Sequence, residues 1–114
     1  MSGKPILPRA AARSDVEAAI DDLLRETGAG TAAGFIDALE ASYRFIAKRP
    51  AAGSPHYAHE LNLPGLRSRG LRRYPYVVFY VERDDHIDVW RVLHTRRDIP
   101  ARMLEQRGSD AEPG

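Results

Sequence analysis

The segment Tyr74–Asp98, YPYVVFYVERDDHIDVWRVLHTRRD, decides the fold. Two runs rich in Val, Ile, Tyr, Phe and Trp flank the polar step Arg83-Asp84-Asp85-His86, and that pattern predicts a β-hairpin. Side chains alternate along a strand. In the first run Val77, Phe79 and Val81 therefore share one face, and Tyr76, Val78 and Tyr80 the other. In the second, Ile87, Val89 and Leu93 oppose Trp90 and Val92. A hairpin apolar on both faces belongs inside a sheet that is covered above and below. It runs directly into the basic, polar cluster His94-Thr95-Arg96-Arg97-Asp98, so the core and the candidate working edge are continuous in sequence.

Upstream lie the elements expected to cover the sheet. Lys4–Pro8 can form a brief strand at Ile6 and Leu7, and its two prolines confine it to an edge. Ser14-Asp15-Val16-Glu17 has the form of a capping box, followed by Val16, Ile20, Leu23 and Leu24 at helical spacing. Ala10–Ala12 can extend this helix backwards, and Gly28 is placed to end it. A second helix is expected from about Thr31 to Lys48, with Phe35, Ile36, Leu39, Tyr43 and Ile46 as its apolar stripe and Pro50 as its stop. The short Gly28-Ala29-Gly30 link makes the two helices a hairpin. Pro50–Gly65 reads as an irregular loop. Leu66–Arg73 alternates, with Arg67, Arg69, Leu71 and Arg73 on one face and Gly70 marking a bulge or a close approach. It serves either as a charge-protected edge strand or as a basic rim for an anionic partner. Ile99–Gln106 can form a short C-terminal helix.

The whole is an α+β domain over residues 1–107 with a disordered tail over 108–114. The absence of cysteine excludes disulfides and thiolate metal sites and suits a reducing cytoplasm. No apolar run approaches the ~20 residues of a membrane span, and MSGKPILPRAAARSD lacks the apolar segment of a secretory signal. His56, Tyr57 and His59 fit no common zinc spacing. No metal and no cofactor is expected, and nothing resembles a phosphate-binding glycine loop. From Leu66 to Arg107 ten Lys/Arg face six Asp/Glu, a local balance of +4 in a chain of net charge +1, so the basic bias belongs to the strand-rich half.

The C-terminal third resembles the RelE/ParE family of bacterial toxins, most nearly the ParE branch. The residues that carry the likeness are Arg67, Tyr74-Pro75-Tyr76, Phe79-Tyr80, Val92-Leu93-His94 and Arg96-Arg97-Asp98, with Ala12 and Asp15 in the first helix and Pro50 and Gly53 after the second. The resemblance implies a small, mainly antiparallel sheet with a helical hairpin on one face, in the order β-α-α-β-β-β plus a short C-terminal helix. It also implies the toxic component of a type II toxin–antitoxin system, inhibiting growth until a cognate, ParD-like antitoxin neutralises it in a hetero-oligomer. Only one pair of helices is visible for two apolar faces, so a second polypeptide is expected to fill the other. Its acidic residues would meet Arg67, Arg69, Arg72 or Arg73, and Tyr76, Tyr80 and Trp90 would line the contact.

Two targets are implied within the family. ParE-type members poison DNA gyrase without being enzymes; RelE-type members are ribosome-dependent mRNA endonucleases. Cleavage through a ribose hydroxyl needs proton-transfer groups and cations around the phosphate. RelE-type enzymes use Lys, Arg and a Tyr beyond the last strand, whereas this chain has Lys only at Lys4 and Lys48 and no Tyr after Tyr80. The gyrase reading is therefore preferred, with His94, Arg96 and Arg97 as target-binding residues. If the chain is a nuclease, the same three are its catalytic candidates, His94 titrating near neutrality. The alternatives are that His94 caps the strand end, that Arg97 pairs with Asp98, and that Tyr76, Tyr80 and Trp90 are core rather than base-stacking residues. A member that has lost toxicity and persists as a binding partner is a third reading. Direct DNA contact is not expected without the antitoxin, because no reading helix is present.

Overall fold

A computed structural model describes residues 3–96. The hairpin is its centre: β3 (Tyr76–Glu82) and β4 (Ile87–His94) pair antiparallel in the middle of a four-stranded sheet. β2 (Leu66–Gly70) flanks β3 antiparallel, and β1 (Ile6–Pro8) flanks β4 in parallel, giving the order β1-β4-β3-β2. The N-terminal strand thus takes the edge position that its prolines require. The expected C-terminal helix and tail lie outside the described residues, as do Arg97 and Asp98.

The alternation reading of β4 needs one correction. Tyr80 pairs with Val89 but Phe79 pairs with Arg91, so Trp90 is an extra residue, a β-bulge. Its insertion reverses facing beyond it. Ile87, Val89 and Val92 join Tyr76, Val78 and Tyr80 in one cluster, while Trp90 and Leu93 join Phe79 and Val81 in the other. The sequence had grouped Leu93 with Ile87, and Val92 with Trp90. Gly70, the suspected bulge, instead pairs regularly with Val77.

Helices α1 (Ala10–Glu26) and α2 (Ala29–Lys48) cover the first cluster. α1 starts at Ala10 without a side-chain cap, so Ser14 and Glu17 lie inside it and form no capping box. Gly28 does end it, at φ 105°, where the Thr27 and Gly28 amides both reach the Leu23 carbonyl. Ala12, Phe35 and Ile46 are fully buried. Leu24 and Ile36, assigned to the apolar stripes, are exposed instead.

The largest departure from expectation is on the other face. Residues 50–65 are not an irregular loop. They form a 3₁₀ turn, Pro50–Ala52, then a short helix α3 (His56–Glu60). Tyr57, Leu61 and Leu63 pack on Leu66, Phe79, Val81 and Trp90, with the Tyr57 and Phe79 rings edge-on at 5.2 Å. The chain supplies its own second cover, and the sequence argument that a partner must supply it fails. The prolines and glycines that bound the segment concealed apolar contacts spaced for one short turn and its exit.

Candidate functional site

The motif residues of the two helices turn out to moor the fold. Asp15 on α1 accepts two bonds from the Arg91 guanidinium, each 2.8 Å, and one from the Val92 amide at 3.0 Å. It thereby takes over the edge of β4 where β1 stops. Pro50 and Gly53 do the same for the 3₁₀ turn: the Tyr80 hydroxyl donates to the Pro50 carbonyl at 2.6 Å, and Arg67 Nη1 donates to the Gly53 carbonyl at 2.8 Å. A side chain at Gly53 would begin 2.2 Å from the Tyr80 hydroxyl, so only glycine fits that approach. Burial pushes the Tyr80 phenol above its ordinary pKa, against a lowering contribution from the Gly53 backbone hydrogen bond and from Arg67 and Arg69.

A third mooring was not legible as a site. Asp88 is 7% exposed. It accepts from Arg9 at 2.9 and 2.8 Å, from Arg83 at 3.2 and 2.9 Å and from Trp90 Nε1 at 3.1 Å. Burial works to raise its pKa, but the hydrogen bonds from Arg9 and Arg83 prevail and hold the carboxyl below its usual range. Arg9 also stacks on the Trp90 ring at 4.6 Å. The available signal was Asp88 and Arg91 themselves, charged residues within an apolar strand, which must be paired to be buried.

The sequence-derived contact residues separate into three groups. Tyr76, Tyr80 and Trp90 are core residues, 6%, 0% and 4% exposed, so the structure corrects their assignment to a contact surface. Arg67 is engaged with Gly53 as described. Arg69, Arg72 and Arg73 lie along the outer flank of the sheet: Arg69 and Arg72 line a groove of about 740 Å³ beside α2, and Arg72 and Arg73 border a second recess with Tyr74. Arg73 has φ 72°, a left-handed turn between β2 and β3.

The third group is at the end of β4. His94 pairs with Tyr76 across the sheet, and the two rings meet edge-on at 5.0 Å. Its Nδ1 accepts the Arg96 amide at 3.1 Å, while the Thr95 amide donates to the Pro75 carbonyl. His94 thus stands at the strand end as an acceptor of a backbone amide, not as a donor to a carbonyl. His94 and Arg96 line a recess of about 430 Å³ together with Asp22 and Glu26 of α1. The structure therefore joins His94 to Arg96 but adds two carboxylates that the sequence reading had not placed there. An Nδ1 that accepts a backbone amide carries no proton, so the ring is an Nε2–H donor in this arrangement. His56, considered for metal binding, pairs with Glu60 at 3.0 Å. Among the described residues no three His, Cys, Asp or Glu side chains gather as a metal site, and no helix is long and apolar enough to cross a membrane.

Comparison with known proteins agrees with this architecture. Among solved structures, a chain of the chromosomal ParDE TA system from P. aeruginosa shares the fold, with a TM-score of 0.69 at 18% identity over 82% of this chain and 97% of that one. No curated protein matches. Residues 6–99 match the family described as ParE toxin of type II toxin-antitoxin system, parDE. That span holds the Asp15, Gly53 and Tyr80 moorings and the His94 strand end, and the chain belongs to this ParE toxin family.

Proposed function

We propose that this toxin arrests growth by binding a protein target, DNA gyrase, in the cytoplasm, and that a ParD-like antitoxin holds it inactive in a hetero-oligomer. The observation that carries the choice of target is the recess at His94. RNA cleavage there would require a phosphate to settle beside Glu26 and beside Asp22, which is paired with Arg25, and the Glu26 carboxylate opposes a second anion. His94 accepts the Arg96 amide on Nδ1, so taking up a proton there as a general base would break that bond. A mixed lining of this kind, with Arg96 as donor and Glu26 as acceptor, suits recognition of a protein surface. Arg97 belongs to the same basic run and is assigned to the target with His94 and Arg96.

Purified components test the proposal. The toxin with gyrase and supercoiled DNA is expected to accumulate cleaved DNA, and the toxin with translating ribosomes to leave mRNA intact. Ribosome-dependent cuts without gyrase-dependent breaks would reverse the assignment in favour of the RelE-type activity. Growth arrest on induction, relieved by the neighbouring gene product, tests the toxin–antitoxin reading separately from the target.

A further inference from the structure

The groove of about 740 Å³ between α2 and β2 has a cationic wall that the fold itself leaves unused. The Arg69 guanidinium lies 3.6 Å from the centre of the Phe45 ring. Stacking on a ring holds it flat and fixes where its N–H groups point. Its Nε is enclosed by the protein, but Nη1 and Nη2 are not, and no described residue accepts from them. Arg72 borders the same groove, is exposed, and also makes no ion pair or hydrogen bond with a described residue. The described lining holds no Asp or Glu. Two guanidinium charges thus face one volume, and no described carboxylate balances them.

A third donor comes from the backbone. Ser68 exchanges two hydrogen bonds of 2.9 Å with Ser54 across the outer edge of β2. Backbone groups alternate in direction along an antiparallel strand, so the Gly70 N–H points from that same outer edge. The next amide, of Leu71, turns inward to the Tyr76 carbonyl at 2.9 Å, as the alternation requires. No described residue accepts from the Gly70 amide. Gly70 is exposed and lines the groove beside Arg69. Ala38 and Ala41 of α2 add small apolar surface to the same lining.

We propose that this groove binds a small phosphomonoester, whose phosphate accepts from the Arg69 terminal nitrogens, from Arg72 and from the Gly70 N–H, and whose uncharged body lies against Ala38 and Ala41. A phosphomonoester carries close to two negative charges at neutral pH, which matches two guanidinium ions; a single carboxylate matches one. Guanidinium forks and backbone N–H groups are the donors that recur around phosphate. A nucleic-acid strand fits less well, because following its backbone takes a continued row of cations. Here Arg67 is engaged by the Gly53 carbonyl at 2.8 Å, and Arg73 borders the neighbouring recess. The site stands apart from the His94 recess, whose lining is mixed in charge, and does not depend on the assignment of target or antitoxin.

Adenosine 5′-monophosphate is the probe, titrated into the full chain and read from the NMR amide shifts of Gly70 and its neighbours. Adenosine, inorganic phosphate and a short single-stranded RNA are run in parallel. The monophosphate is expected to give a saturable shift at Gly70, inorganic phosphate a shift with about 3–10-fold weaker affinity for want of a body on the apolar surface, and adenosine none. Arg72→Ala is expected to weaken binding about 10-fold or more, and Arg69→Lys, which keeps the charge but loses the fork, about 10-fold. A methyl at Gly70 would meet nothing nearer than the Tyr76 carbonyl oxygen at 3.9 Å, so Gly70→Ala should bind as wild type does. Gly70→Pro removes the N–H, and about 5–10-fold weaker binding is expected. Thermal melts establish that each variant folds; should Gly70→Pro not fold, the exposed Arg72→Ala carries the test. No saturable shift with either phosphate compound, or undiminished affinity in both arginine variants, overturns the site. Equal binding of adenosine overturns the role of the phosphate, and RNA that binds where the monophosphate does not would put a nucleic-acid strand in its place.

Discussion

The two faces of the sheet are closed by unequal means. On one, α1 and α2 contribute 17 and 20 residues of helix, and Phe35 and Ile46 retain no exposure at all. On the other, a five-residue helix and its exit contribute Leu61 and Leu63, still 9% and 6% exposed. Both faces carry large fully buried side chains, Tyr80 on the first and Phe79 on the second. The difference lies in the cover. A long amphipathic hairpin forms a cooperative layer, whereas a single turn has almost no helical stability apart from its docking. The second face should therefore be the first to open.

The sharpest way to break this comparison is Phe35→Ala. Phe35 meets Tyr74 and Tyr76 edge-on at 5.9 and 5.0 Å. Its truncation is expected to cost about 3–5 kcal/mol, enough to unfold a domain of ordinary stability. Urea melts followed by far-UV circular dichroism and by Trp90 fluorescence should shift together. Leu63→Ala comes next, at about 2–3 kcal/mol, and its effect should be local. Hydrogen exchange is expected to quicken in residues 55–65 well before the α2 amides respond. Equal acceleration in both would show that the two covers open as one unit.

Gly53→Ala strikes the joint between the faces, because the added methyl meets the Tyr80 hydroxyl of one cluster from the turn that leads into the other cover. About 1–3 kcal/mol of destabilisation is expected, read from the urea midpoint, and Tyr80→Phe in the same background should recover part of it. The smallest effect at neutral pH is that of Tyr43→Phe. Burial, helped by the charge of Asp15, pushes the Tyr43 phenol up to about 12. A group raised in the folded state contributes stability that is complete below the unfolded value of ~10 and lost as pH climbs through the folded value. The wild-type chain should therefore lose stability between pH 10 and about 12, and Tyr43→Phe should flatten that decline. An unchanged alkaline limb would exclude Tyr43 as its source.

Much of this architecture was legible because hydrophobic pattern and punctuation agreed. The Tyr76–His94 hairpin, the two helices, the glycine between them and the proline-limited edge strand each follow from local physical chemistry. What was not legible depends on non-local bonds. The bulge at Trp90 leaves no mark in an apolar run, yet it exchanges the faces of Val92 and Leu93. The cover formed by residues 55–65 lacks the length for periodicity to register. The candidate site divides in the same way. His94 and Arg96 stand out because polar residues follow a core strand, whereas Asp22 and Glu26, which line the same recess, lie on a helix far away in sequence. Tyr76, Tyr80 and Trp90 were misplaced because an aromatic on a two-faced strand carries no sign of which side is closed.

The parallel pairing of β1 with β4 has a consequence in time. Ile6 finds its partner in Ile87, 81 residues later, so β1 cannot be seated until β4 has been synthesised. At ~5–20 residues per second that is a wait of roughly 4–16 s during each round of translation. Until then Ile6–Pro8 stays an unpaired strand, and the parallel edge of the sheet closes only after Ile87–Val89 has emerged.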